Sequence, residues 1–154
     1  MAIDSENSSR RPWILVGMDF SPASRTALAA ARALAAESDR ALLVLHVIDG
    51  QGLAELARLA EVPERVLRDR LGRERRERLA GLLKDGTNDV GVEPLIAWGR
   101  PFEVLVRKAA DLSASLIVLG TAGHSADLEK ALFGSTAEKV LRSAPCPVLC
   151  VPVE

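Results

Sequence analysis

Short, uninterrupted apolar runs alternate along this chain with longer stretches of helical spacing, and that alternation narrows the possible folds more than any other feature. Residues 13–18 (WILVGM), 41–48 (ALLVLHVI), 116–119 (LIVL) and 148–151 (VLCV) carry no acidic or basic side chain beyond one histidine. They are too short for typical helices and do not alternate polar with apolar. That is the pattern of strands covered on both faces of a parallel sheet. A further stretch, 90–97, alternates imperfectly and predicts a strand at a sheet edge. Between the runs, Ser21 is a natural N-cap and Pro22 suits the first helical position, so a helix is expected over 22–37. Its stripe of Ala23, Ala27, Ala30, Ala31, Leu34 and Ala35 makes it narrow enough to lie close against a sheet. Leu53, Leu56, Ala57 and Ala60 fit a short helix. Pro101 opens another, with Phe102, Leu105, Val106, Ala109 and Ala110 at helical spacing. Strand–helix alternation implies right-handed crossovers and a parallel sheet.

The stretch 63–84 is dense in arginine and glutamate, with Val66, Leu67, Leu71, Leu79, Leu82 and Leu83 as its apolar stripe. Glu64/Arg68, Asp69/Arg73 and Glu74/Arg78 are acid-before-base pairs four apart, which support an exposed helix. Its seven arginines are interleaved with acids and read as a solvated face rather than a binding patch.

Composition excludes several functions. The 154 residues suit one domain with a full core, expected over 12–154 after a polar leader at 1–11. Aromatic residues make up 3%, with no tyrosine, so the core is aliphatic and base-stacking platforms for single-stranded nucleic acid are scarce. A net charge of −1 offers no basic excess for a phosphate backbone or an anionic membrane. Neither nucleic acid nor a membrane is an expected partner. No apolar run approaches the eighteen or so residues of a membrane span, and the leader has no apolar h-region, so a cytoplasmic location is expected. Cys146 and Cys150, the two cysteines, fall at or near one strand. At about 3.3 Å per residue they stand about 13 Å apart, beyond disulfide reach. With His46 and His124 the only histidines, no metal-ligand spacing emerges.

Chemistry concentrates after the third of the long apolar runs. Residues 116–119 stop at Gly120, and Gly123 follows two residues later. A polar loop then reaches Gly134, Ser135 and Thr136, where either hydroxyl residue can cap a helix carrying Ala137, Val140 and Leu141 on one face. Glycines let the backbone approach a ligand, and a helix start adds unpaired N–H donors and partial positive charge. Phosphate is the natural guest. Loop residue His124 either hydrogen-bonds a phosphate or is simply solvated, Lys130 reads as surface, and His46 reads as a satisfied core histidine. Catalysis has little to work with. The lysine of a Walker A loop is missing before Ser135, and neither a kinase signature set nor a G-x-S-x-G nucleophile elbow occurs. No catalytic residue is assigned.

Gly120, Gly123, Gly134, Ser135, the EKVLR that follows and the terminal APCPVLCV make this half of the chain resemble the universal stress protein family. The likeness extends over nearly the whole chain, through WILVGMDFSP, LHVID and SLIVLGT. In the nucleotide-binding branch of that family the pattern is Gly, two residues, Gly, nine residues, Gly, then Ser or Thr. Here ten residues, His124 to Phe133, separate Gly123 from Gly134. The resemblance implies an open five-stranded parallel sheet with helices on both faces, Rossmann-like and of the adenine nucleotide α-hydrolase-like kind, in strand order 3-2-1-4-5. It also implies a crevice at the switch point between strands one and four, where strand order reverses, lined by Asp19, Val47 and the glycine loop. Gly17 and the Val47 backbone would face the base. Gly120, Gly123, Gly134, Ser135 and Thr136 would hold ribose and phosphates. A carboxylate would repel a triphosphate, so Asp19 belongs at the base or ribose end, unless it only caps the turn before Ser21.

The implied ligand is ATP, with Mg²⁺, and the implied assembly is a homodimer that pairs its final strands from Val148 to Val153. Two readings therefore stand. One is an ATP-binding stress-response or signalling module with at most slow ATP hydrolysis; the other is a dimeric interaction protein of the same fold that binds no nucleotide.

Overall fold

The computed structural model describes residues 11–85, 90–121 and 134–153. Among them, β1 (Trp13–Gly17), β2 (Ala41–Ile48), β3 (Val92–Trp98), β4 (Leu116–Gly120) and β5 (Val148–Val151) form one parallel sheet. Its order is β3-β2-β1-β4-β5, as the resemblance implied. The helices are α1 (Pro22–Ser38), α2 (Leu53–Leu59), α3 (Glu64–Lys84), α4 (Pro101–Asp111) and α5 (Ser135–Ser143).

Because side chains alternate across a strand, each central strand feeds two cores. Ile14 and Val16 of β1, Leu42 and Val44 of β2 and Val118 of β4 pack with Ala27, Leu28, Ala31 and Ala35 of α1 and Leu79 of α3. On the other face Leu15, Leu43, Leu45, Ile117 and Leu119 pack with Val104, Leu105 and Ala109 of α4 and Ala137 and Val140 of α5. Each such large side chain, fully buried, contributes about 1.5–3 kcal/mol. Continuous apolar strands are thus the direct consequence of helices on both faces.

Local signals place the helix starts. The Ser21 hydroxyl accepts the Ser24 N–H at 3.2 Å, with Pro22 at the first helical position of α1. Pro101 does the same for α4 behind Arg100. Strand β3 lies at the sheet edge, where the missing N–H of Pro94 can be tolerated. Arg11, at the end of the expected leader, pairs with Asp39 at 3.2 Å in an exposed contact.

Three local expectations are corrected. Leu56 of α2 faces solvent at 52% exposure, and only Leu53 and Ala57 of that helix are buried. In α3 the buried residues are Gly72 and Leu79, while most of the expected stripe is half-buried. Two of the arginines assigned to ion pairs on its outer face lie over aromatic rings instead: Arg68 over Trp98 at 4.4 Å and Arg78 over Phe20 at 4.2 Å. Both arginines stay exposed, as a solvated face requires, and each still lays its guanidinium over a ring presented by a neighbouring element.

Candidate functional site

The carboxyl ends of β2, β1 and β4 lie side by side, because β1 pairs with both neighbours. Strand β1 stays tied to β2 one residue beyond Gly17, where the Met18 N–H donates to the Leu45 carbonyl at 2.9 Å. The backbone then turns sharply. Asp19 Oδ1 accepts the Ser21 N–H at 2.9 Å, and Phe20 between them takes φ 64, a left-handed conformation uncommon for a bulky residue. The turn-holding role weighed for Asp19 is therefore present. Asp19 itself is exposed at this turn.

Gly17 and Gly120 have packing reasons to be glycine. A Cβ on Gly17 would stand 2.5 Å from Leu119 Cδ2, so a ligand meets this residue through its backbone or not at all. A Cβ on Gly120 would stand 2.6 Å from the backbone carbonyl carbon of Ala23, because the first turn of α1 rests on the end of β4. The side chain of Val47 packs into the core on the α4 side, leaving its backbone at the end of β2.

Beyond β4, the Gly134 N–H donates to the Thr121 carbonyl at 2.6 Å, which brings the start of α5 back to the end of that strand. Here the sequence expectation needs correcting: neither Ser135 nor Thr136 is the cap. Gly134 is the N-cap, in extended conformation, and among the described residues no side chain caps the helix. Ser135 and Thr136 occupy its first turn, where N–H groups have no intrahelical partner. Asp19, Gly120, Gly134, Ser135 and Thr136 thus stand along one edge of the sheet, with Val47 one strand further on. Gly123, His124 and Lys130 lie outside the described residues.

His46 is buried in β2, and its Nδ1 lies 2.7 Å from the Met18 carbonyl. A carbonyl can only accept, so Nδ1 carries the proton. The ring packs against Phe20 at 4.7 Å between centroids. Burial pushes the imidazole below its ordinary value of 6.5; the Met18 bond and Asp19 oppose that shift, and Arg75 and Arg78 reinforce it. The unfolded chain therefore takes up the proton first as pH falls. Stability from this group is complete above about pH 7 and declines as pH drops through 6.5 toward the lowered folded value. Urea unfolding at about pH 7.5 and about pH 5.5 should show this loss, and His46→Asn should flatten it; an equal slope in both proteins would contradict the assignment.

Sequence reasoning missed Phe20, Trp98 and the arginines that lie over their rings. The signal available for them was the i, i+3/i+4 spacing of Arg68, Arg75 and Arg78 with Leu71 and Leu82. Cys146 and Cys150 are free and half-buried, and burial pushes both thiols up, which keeps them protonated. Among the described residues no group of three His, Cys, Asp or Glu side chains is placed to hold a metal ion. No described helix is long and apolar enough to cross a membrane.

Comparison with known proteins agrees with this architecture. The family model described as "Universal stress protein family" matches residues 13–152. A universal stress protein of Methanocaldococcus jannaschii is 30% identical over 152 residues, covering 90% of this chain and 93% of that one. Its solved structure superposes with a TM-score of 0.80, covering 94% of this chain and 97% of the other. A universal stress protein solved in complex with cAMP has a TM-score of 0.60 at 24% identity, covering 95% and 100% of the two chains. The Archaeoglobus fulgidus universal stress protein in complex with dAMP has a TM-score of 0.62 at 22% identity, covering 92% and 97%. With a family match over nearly its whole length and the sheet order in accord, this chain belongs to the universal stress protein family.

Proposed function

We propose that this protein binds ATP at the carboxyl edge of β1 and β4 and acts as a nucleotide-dependent stress-response or signalling module. The observation that carries the reading is the convergence there of the Asp19 turn, Gly120 and an α5 start without a side-chain cap. An uncapped helix start fits an anion, because its amides point outward and the helix dipole favours negative charge. Asp19 would accept from a ribose hydroxyl, and the Gly134, Ser135 and Thr136 backbone would receive phosphate. Mg²⁺ would ride on the phosphates rather than in a protein cage. Two relatives of the same fold were solved with adenine nucleotides, cAMP and dAMP, which supports the ligand class. No base is committed to attack on the γ-phosphate, so hydrolysis would be slow at most.

The direct test is to purify the protein without added nucleotide, denature it and identify released small molecules by mass spectrometry. Near-stoichiometric ATP is the expected result. An empty protein that also ignores millimolar Mg-ATP would favour the second reading, a nucleotide-free interaction protein. The ten residues between Gly123 and Gly134, one more than the family spacing, are what speak for that alternative.

Among the described residues strand β5 forms an edge of the sheet, and its Leu149 and the following Val153 are exposed. Two copies pairing along this edge would cover it, as open edges require. A dimer is expected in sedimentation at micromolar concentration, and Leu149→Arg should shift it to monomer; a wild-type monomer would refute the assembly. The free thiols suit a reducing, cytoplasmic compartment.

A further inference from the structure

We infer that His46 is a positioning residue for the nucleotide: by donating its Nδ1–H to the Met18 carbonyl, it sets the turn that presents Asp19. The inference rests on the nucleotide reading above. Met18 is the last residue of the β1 segment bonded to β2 through its backbone N–H. Its carbonyl, at a residue only 3% exposed, is caught at 2.7 Å by a side chain from that neighbouring strand. The next residues hold a conformation that the chain does not favour by itself, with Phe20 at φ 64. What holds it is a set of contacts around one ring: Phe20 is 4% exposed, packed on the His46 imidazole at 4.7 Å and lying under the Arg78 guanidinium at 4.2 Å. Asp19 then closes the turn onto the Ser21 amide. His46 touches both sides of the bend, Met18 before Asp19 and Phe20 after it. A histidine merely satisfied in the core needs only the Met18 bond; this one also packs on the Phe20 ring, and the two contacts together fix the direction in which the chain leaves the sheet.

Three substitutions separate positioning from stability. In His46→Asn the amide nitrogen stands as many bonds from Cβ as Nδ1 does, so the donor to Met18 is retained. His46→Gln carries the same amide one methylene further, and His46→Leu keeps volume without a donor. Two readouts apply to the whole chain: hydrogen exchange at the Ser21 amide in nucleotide-free protein, and Kd for ATP and for adenosine by calorimetry. His46→Gln and His46→Leu should exchange Ser21 faster and lose about tenfold in affinity for both ligands, while His46→Asn stays within about twofold of wild type. Equal loss for adenosine and ATP locates the effect at the base and ribose end.

Variants that differ only in melting temperature, with unchanged Ser21 exchange and affinity, would overturn the inference and leave the nucleotide reading intact. If the wild type binds neither ligand, the nucleotide reading fails, and with it the role of His46 toward a ligand. Ser21 exchange then decides whether His46 holds the turn. If His46→Leu does not fold, the contrast between His46→Asn and His46→Gln carries the same test.

Discussion

Gly120→Ala is expected to destabilise the protein by about 3 kcal/mol, at the upper end of what overpacking a well-filled interior costs. The new Cβ would meet the Ala23 carbonyl carbon at 2.6 Å and the carbonyl oxygen at 2.9 Å. Those are backbone atoms in the first turn of a helix, so relief requires shifting α1 as a body away from β4. For a chain of this size that corresponds to a melting point lower by about 6–12 °C. The matching change at Gly17 is the control. Its added Cβ would meet Leu119 Cδ2 at 2.5 Å, nominally a closer clash, but with the far end of a side chain that can rotate. Gly17→Ala should therefore cost less, about 1 kcal/mol. Thermal melts of the two variants side by side decide the matter; if Gly17→Ala proves the more damaging, the backbone contact of α1 on β4 is not what constrains Gly120. Because α1 begins at the Ser21 cap, a shift of that helix also moves the Asp19 turn, and nucleotide affinity should fall with stability in Gly120→Ala.

Gly134→Asp should do the opposite, sparing the fold and removing the ligand. The N-cap position is in extended conformation, φ −65 and ψ 159, which aspartate adopts readily and where its carboxylate can take up first-turn amides. Helix α5 is then as stable as before or better, by up to about 1 kcal/mol. The same carboxylate occupies the donors that phosphate would use and places a negative charge about 4 Å from it. At an effective dielectric near 20 that repulsion is about 4 kcal/mol, so even after screening the affinity for Mg-ATP should drop about a hundredfold or more. Gly134→Asn, which caps without charge, should lose less. Calorimetric titration with Mg-ATP, alongside a thermal melt, is the check. Undiminished ATP binding by Gly134→Asp would show that the phosphates do not lie at the start of α5.

Much of this was legible in the chain before its structure. Uninterrupted apolar runs can be satisfied only where both sheet faces are covered, so Ile14 to Val16, Leu42 to Leu45 and Ile117 to Leu119 declared a parallel, doubly covered sheet. Ser21 and Pro22 announced α1 because capping is chemistry between residues three apart, and Gly120 marked a strand end because the apolar run stops there. Strand order was not legible from periodicity; it came with the family resemblance, since pairing between β1 and β4 joins residues about a hundred positions apart.

Other features exist only in three dimensions. Nothing near position 17 in the sequence says that it has no room for a side chain; only the fold sets Leu119 against it. The arginines of α3 look like half of a set of local ion pairs, because Glu64/Arg68 and Glu74/Arg78 are close in sequence, while their aromatic partners Trp98 and Phe20 are not. His46 reads as an apolar-strand histidine in need of some partner, and only the fold supplies the Met18 carbonyl and the Phe20 ring. Local order, from strand and helix type to the start of α1, was determined by the sequence alone because it depends on neighbours within a few residues. The packing of Gly17 and Gly120, the arginines over Trp98 and Phe20 and the contacts of His46 with Met18 and Phe20 were decided by tertiary structure, because each depends on a contact that no local spacing encodes.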